Sequence, residues 1–359
     1  MNIKEFFKNK EKLWKISIVF LFILLIPLSF WTYKIIRHYY DTGEINYFSP
    51  VIGNDENDKS QSMENLTPRM IDGKLVESGK EIFYPVGVMI ENHIDSRPPA
   101  NLDKALLVYE AEVEAGITRF LAFFSPKDDI DRIGPVRSAR PYYLDWAAEF
   151  DALYTHCGGS PEALARIIAD SIFDFNEFYY GGYFWRDENR DAPHNIYTST
   201  ELLNEYLEKV EPEIIDFDEW QFKDDADFDE RPDSSEIVVH YKNDLYEVRW
   251  VYDKENNSYI RYDYEDEYLT EDKEEIRPKN IVIQYVESEI LDEVGRRELG
   301  TIGTGRALIC NDGVCQKGTW AKNSLRERTK YYLDSGEEAS FYRGLTWVNV
   351  VPNWYEIDY

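Results

Sequence analysis

Eighteen consecutive residues without a charged side chain, ISIVFLFILLIPLSFWTY at 16–33, restrict this chain more than any other feature. A bilayer core takes about 20 predominantly apolar residues in helical form. Trp14, Trp31 and Tyr33 stand at the two ends of the run, where amphipathic rings favour the interface, and Lys34 and Arg37 can reach back to water. Pro27 would break a soluble helix but is tolerated in a membrane one. Five lysines (4, 8, 10, 12 and 15) precede the run and two basic residues follow it. The positive-inside rule then keeps the N-terminus cytoplasmic. The expectation is a single N-terminal transmembrane helix at 16–36, a basic tail at 1–15 and an extracellular remainder at the cell membrane. A cleaved signal would show a shorter apolar run and a small-x-small site. No such site follows Leu28, and the first cysteine is Cys157.

The formal charge is −29, and residues 1–37 hold seven Lys/Arg against two Asp/Glu. They contribute +5, so the rest carries −34. Such a surface excludes nucleic acid, which needs a basic footprint. It also disfavours lying flat on anionic lipid. The 27 tyrosines and 15% aromatics are too many for a disordered chain. About 320 residues beyond the apolar run exceed one typical core, so two domains are expected.

Residues 37–80 are polar and aperiodic and read as a tether. Residues 84–90, 105–109 and 117–124 are apolar runs of strand length, and 141–150 and 161–171 show helical spacing with proline in the first turn. The expectation for 81–212 is an α/β domain. An acid-dense linker covers 213–236. Residues 237–359 alternate β-branched or aromatic runs with turn residues, which predicts a mostly antiparallel β domain. Cys310 and Cys315 flank Asn-Asp-Gly-Val, a hairpin signal, and could form a disulfide in an oxidising compartment.

Between residues 91 and 195, arginines and histidines fall in tight clusters punctuated by glycine and proline: ENHIDSRPP, VYEAEVEAGITRF, IGPVRSARPYYLD, HCGGSPEAL and APHNIY. These segments resemble the YerB-like family, domain of unknown function 3048. GTGRA, GTWAK and GLTWVNVVP are similar to that family's second domain. The resemblance runs from about residue 85 to 352. It implies an extracytoplasmic protein of Gram-positive-type bacteria, usually a lipoprotein, with an N-terminal YerB-like domain and a β-rich C-terminal one. It implies no settled activity. This chain departs by carrying an apolar helix in place of a lipidated cysteine.

The residues suggest two chemistries. Arg97, Arg119, Arg137, Arg140 and Arg190, with the Ser138 hydroxyl, would form an anion-binding cleft if they converge. They could instead pair with Glu110, Glu112 or Glu114. Glu110 and Glu114 with His156 and His194 are the candidates for acid–base work. Ser160 before Pro161 reads as a helix cap, and no G-x-S-x-G elbow is present. No H-E-x-x-H or EF-hand spacing occurs, so no metal and no cofactor are expected. The leading expectation is a membrane-anchored envelope protein that binds an anionic ligand or a cell-wall partner through an arginine-rich cleft. The alternative is an envelope hydrolase or transferase acting on wall glycan or a lipid-linked anion.

Overall fold

The computed structural model describes residues 66–214 and 217–359. The apolar run at 16–36 lies outside them. Among the described residues no helix is long and apolar enough to cross a membrane, so the expected transmembrane helix is not part of the fold found here.

The strands of the first half are β1 (Val86–Glu91), β2 (Leu107–Glu112), β3 (Thr118–Phe124), β4 (Leu153–His156) and β5 (Asp174–Asn176). All residues of β1, β2 and β3 are buried, which is why they read as continuous apolar runs rather than alternating ones. Helices α1 (Pro141–Ala148) and α2 (Pro161–Ala169) each begin with proline. Ser160 caps α2 by accepting the Ala163 N–H at 3.2 Å. Helix α3 (Thr200–Val210) closes this half.

The second half supplies β6 (Glu236–Val239), β7 (Val248–Asp253) and β8 (Ser258–Asp263), then β9 (Asn280–Val286), β10 (Gly303–Asn311), β11 (Val314–Lys322), β12 (Lys330–Leu333) and β13 (Thr346–Pro352). Strands β6 to β8 form an antiparallel sheet, edged by Asp266–Glu267 and Ile357–Asp358. Cys310 and Cys315 are disulfide-bonded across the β10–β11 hairpin, with Cα atoms 4.0 Å apart.

The expected fold class, an α/β domain followed by a separate antiparallel β domain, is corrected. The chain is mostly β, and one ten-stranded sheet runs through both halves in the order β12-β11-β10-β9-β13-β2-β3-β1-β4-β5. Strand β13 joins them. All seven of its residues are buried, and it pairs in parallel with β9 on one side and β2 on the other. Its alternating side chains enter two cores, one on each face of the sheet. Trp347 packs with Val108, Phe120 and Trp250 on one face, and Val348 and Val350 pack with Tyr109, Leu121 and Trp146 on the other.

Two further segments are more ordered than their polarity suggests. Residues 66–77, inside the expected tether, form a hairpin whose Arg69 is buried against Asp72 and Asp128. In the acid-dense stretch, Trp220 is buried and Gln221–Lys223 pairs with Ser340–Tyr342.

Candidate functional site

Strands β1, β4 and β5 are mutually parallel, and α2 connects β4 to β5. Their carboxyl ends therefore open on one edge, the usual place for a crevice in parallel sheets. Alternation puts Glu91 of β1, Arg119 of β3, and Tyr154 and His156 of β4 on the same face, the one covered by α1 and α2. The loops after β1 and β4, the segment before α1 and the 177–195 excursion supply the remaining groups.

Glu91 organises one side. Its buried carboxylate forms an ion pair with Arg137, whose Nε lies 2.8 Å away, and faces His194 Nδ1 at 2.8 Å. The His194 ring stacks on His93, with centroids 5.1 Å apart. His93 caps a short turn by accepting the Asp95 N–H at 3.2 Å. On the other side, Glu177 pairs with Arg186 at 3.2 Å, and Cys157 Sγ approaches Glu177 Oε2 at 3.5 Å. Burial, then the Glu177 carboxylate, pushes the Cys157 thiol up to about 12, which removes it as a nucleophile at neutral pH.

Arg119 differs from its neighbours. Among the described residues it is buried without an ion pair, and its one side-chain hydrogen bond runs from Nη1 to the Ser138 carbonyl at 2.7 Å. Its Nε has no hydrogen-bond partner among the described residues. The Arg140 fork donates to the next carbonyl, Ala139, at 2.8 Å, so the two guanidinium groups are neighbours. Burial, then the Arg140 charge, pushes Arg119 down to about 10. The Tyr154 hydroxyl, which feels the charge of both arginines, is also buried without a hydrogen-bond partner among the described residues.

The other expected cleft arginines are occupied. Arg140 forks onto Glu114 at 2.7 and 2.8 Å. Burial raises the Glu114 pKa, but Arg140 outweighs it and holds the carboxyl below its usual range. Arg190 pairs with Glu271 at 2.8 Å and donates to the Ser96 and Pro98 carbonyls. Arg97 pairs with Asp263 at 2.9 Å and donates to Asn92 Oδ1 at 3.0 Å. Ser138 is half-buried and contributes its carbonyl to Arg119.

The acid–base candidates do not assemble as a set. Glu110 is fully buried, takes the Arg261 fork at 2.6 and 3.0 Å, and accepts from Trp347 Nε1 at 2.9 Å. His156 is buried with Nδ1 at 2.6 Å from the Gly158 carbonyl and Nε2 at 2.7 Å from Asp174, so neither nitrogen is free for a ligand. The carboxylate that meets His194 is Glu91. Sequence reasoning passed over Glu91 and Glu177. The available signal was their position at the ends of strands next to histidine and aromatic residues. A cleft of about 720 Å³ lies elsewhere; of its wall cations, Arg69, Lys80, Lys104, Arg277, Lys279 and Arg343 are ion-paired, and Lys74 is exposed.

Comparison with known proteins gives consistent results. Residues 73–213 match the family model described as the protein of unknown function (DUF3048) N-terminal domain, and residues 237–348 match its C-terminal domain. The chain is 31% identical over 275 residues to "Putative lipoprotein YerB" of Bacillus subtilis (strain 168), covering 75% of this chain and 81% of that one. The crystal structure of Bacillus subtilis YerB superposes with a TM-score of 0.72 at 28% identity, covering 81% of this chain and 99% of that one. The chain thus belongs to the DUF3048 family and carries both of its domains.

Proposed function

We propose that this is an extracytoplasmic binding protein of the cell envelope, and that its strand-end crevice takes a phosphate-like anionic group. The location is supported by the Cys310–Cys315 disulfide, which persists in oxidising compartments, and by the lipoprotein description of the Bacillus subtilis relative. The binding reading rests on Arg119. A buried guanidinium without a carboxylate partner costs stability, and such groups concentrate where a ligand supplies the missing charge. Among the described residues the buried Arg119 Nε and Tyr154 hydroxyl have no partner, and Arg119 is tied by its Nη1 to the Ser138 carbonyl of the segment between Arg137 and Arg140. Guanidinium forks suit phosphate oxygens.

The test is calorimetric titration of the full-length protein, with chelator present, using inorganic phosphate and pyrophosphate. Saturable one-to-one binding that weakens as salt rises is expected. Arg119→Met should abolish it while leaving stability unchanged or raising it by about 1–4 kcal/mol, because an apolar isostere replaces an unpaired buried charge. Arg137→Gln, at the half-exposed rim, should weaken binding as well. Absence of saturable binding, or wild-type affinity in Arg119→Met, defeats the proposal. A large stability loss in Arg119→Met would make Arg119 a structural residue instead.

A further inference from the structure

The strongest group left unexplained is the stacked pair His93 and His194 with Asp95. One ligating atom from each of the three lies within 4.8 Å of the others. We propose that these residues form a binding site for a divalent transition metal, zinc in the first instance, with Glu91 as the orienting group behind His194.

The donor set has the right chemistry. Two imidazoles and one carboxylate, leaving a position for water, is a recurrent zinc arrangement. The support behind the ligands is also present. Metal-bound histidines nearly always donate their second ring N–H to a carboxylate or carbonyl, which fixes the tautomer and strengthens the donor nitrogen. Glu91 Oε2 lies 2.8 Å from His194 Nδ1, so in the neutral ring a proton on Nδ1 donates to the carboxylate and the lone pair is left on Nε2. Glu91 is held in turn by Arg137 at 2.8 Å. An isolated stacked pair of surface histidines would need no such buried chain behind it.

The geometry closes with small movements. Zinc–nitrogen bonds of about 2.0–2.1 Å place tetrahedral ligand atoms roughly 3.3 Å apart. The three atoms must therefore draw together by about 1.5 Å at most. The Asp95 side chain is mostly exposed and free to turn, and the His93 Nδ1 contact with the Asp95 N–H, at 3.2 Å, is long enough to yield to a metal. The rings, stacked 17° from parallel, must also open, because a metal lies in the plane of each imidazole it binds: His93 turns while Glu91 holds His194.

Nothing in this site depends on the phosphate-like ligand proposed above. The metal is tested alone, with no added anion, and the anion is tested with chelator present, so either can fail without the other. The experiment is Zn²⁺ titration of chelator-stripped full-length protein, read by calorimetry and by the ligand-field bands of a Co²⁺-loaded sample. One equivalent per chain is expected. His93→Ala and His194→Ala should each weaken it at least 100-fold, and Glu91→Gln by 10- to 100-fold, the usual range for an orienting carboxylate. His240→Ala, at a separate exposed histidine, should have no effect. Should the histidine variants unfold, Asp95→Asn decides, because its exposed side chain carries no structural contact beyond the local turn. A stoichiometry below one, or equal affinity in wild type, His194→Ala and Asp95→Asn, overturns the site.

Discussion

Glu110 and Arg261 are both completely shielded from water, 151 residues apart in the chain, and bonded by two contacts. The Arg261 guanidinium also lies about 5 Å from the ring centres of Phe120, Trp250, Tyr268 and Trp347. Burial alone would lower its pKa, but Asp263 and Glu110 override this and raise it further. Removing one partner leaves a buried, uncompensated charge. Arg261→Met is therefore expected to cost about 3–5 kcal/mol in chemical denaturation, and Glu110→Leu to be strongly destabilising as well. The double variant Arg261→Met/Glu110→Leu should recover most of the loss, and additive losses would show the pair is not coupled. These partners were not legible in the sequence. Glu110, Glu112 and Glu114 alternate like a carboxylate cluster, yet they serve Arg261, Arg297 and Arg140 respectively. The spacing of acids reports which side of a strand they face, not which distant cation has been folded against them.

At the level of elements, local signals were readable. The prolines before Tyr142 and Glu162 mark the starts of α1 and α2, and Ser160 makes the one-sided cap its spacing suggests. Strands β6 to β9 fall within a few residues of the apolar runs that announce them. Short edge pairings were not readable, because two residues carry no period. One of these, Ile357–Asp358 against β6, is clamped by His240, which contacts Glu247 at 2.7 Å and Asp358 at 3.0 Å. The Asp358 contact is the largest cause of a raised His240 pKa. A raised folded-state pKa stabilises below the unfolded value of 6.5 and is lost as pH climbs through the folded value. Amide protection factors in Ile357–Asp358 should therefore be higher in mildly acidic than in mildly alkaline buffer. His240→Gln should remove that difference, and protection independent of pH would mean the clamp is idle.

Across the whole molecule, the two halves matched by separate family models share one sheet. Composition distinguishes a helix-containing half from a β-rich one, and each reading is locally sound. What it misses is the parallel pairing of β13 with β2, which has no local signature, just as the Glu91–His194 contact spans 103 residues without one. A chain stopped after Leu345 would leave the edges of β2 and β9 unpaired at the centre of the sheet. It is expected to lose its cooperative unfolding transition, followed by near-ultraviolet circular dichroism against denaturant. A retained sharp transition would show that the halves stand alone. The same pairing has a consequence in time. Trp347 and Glu110 are separated by 237 residues. At ribosomal rates of about 5–20 residues per second, β2 waits roughly ten to fifty seconds for its neighbour to be made. Throughout that interval a buried-type strand edge is open to wrong partners, so cellular yield depends on whatever shields the nascent chain until β13 arrives.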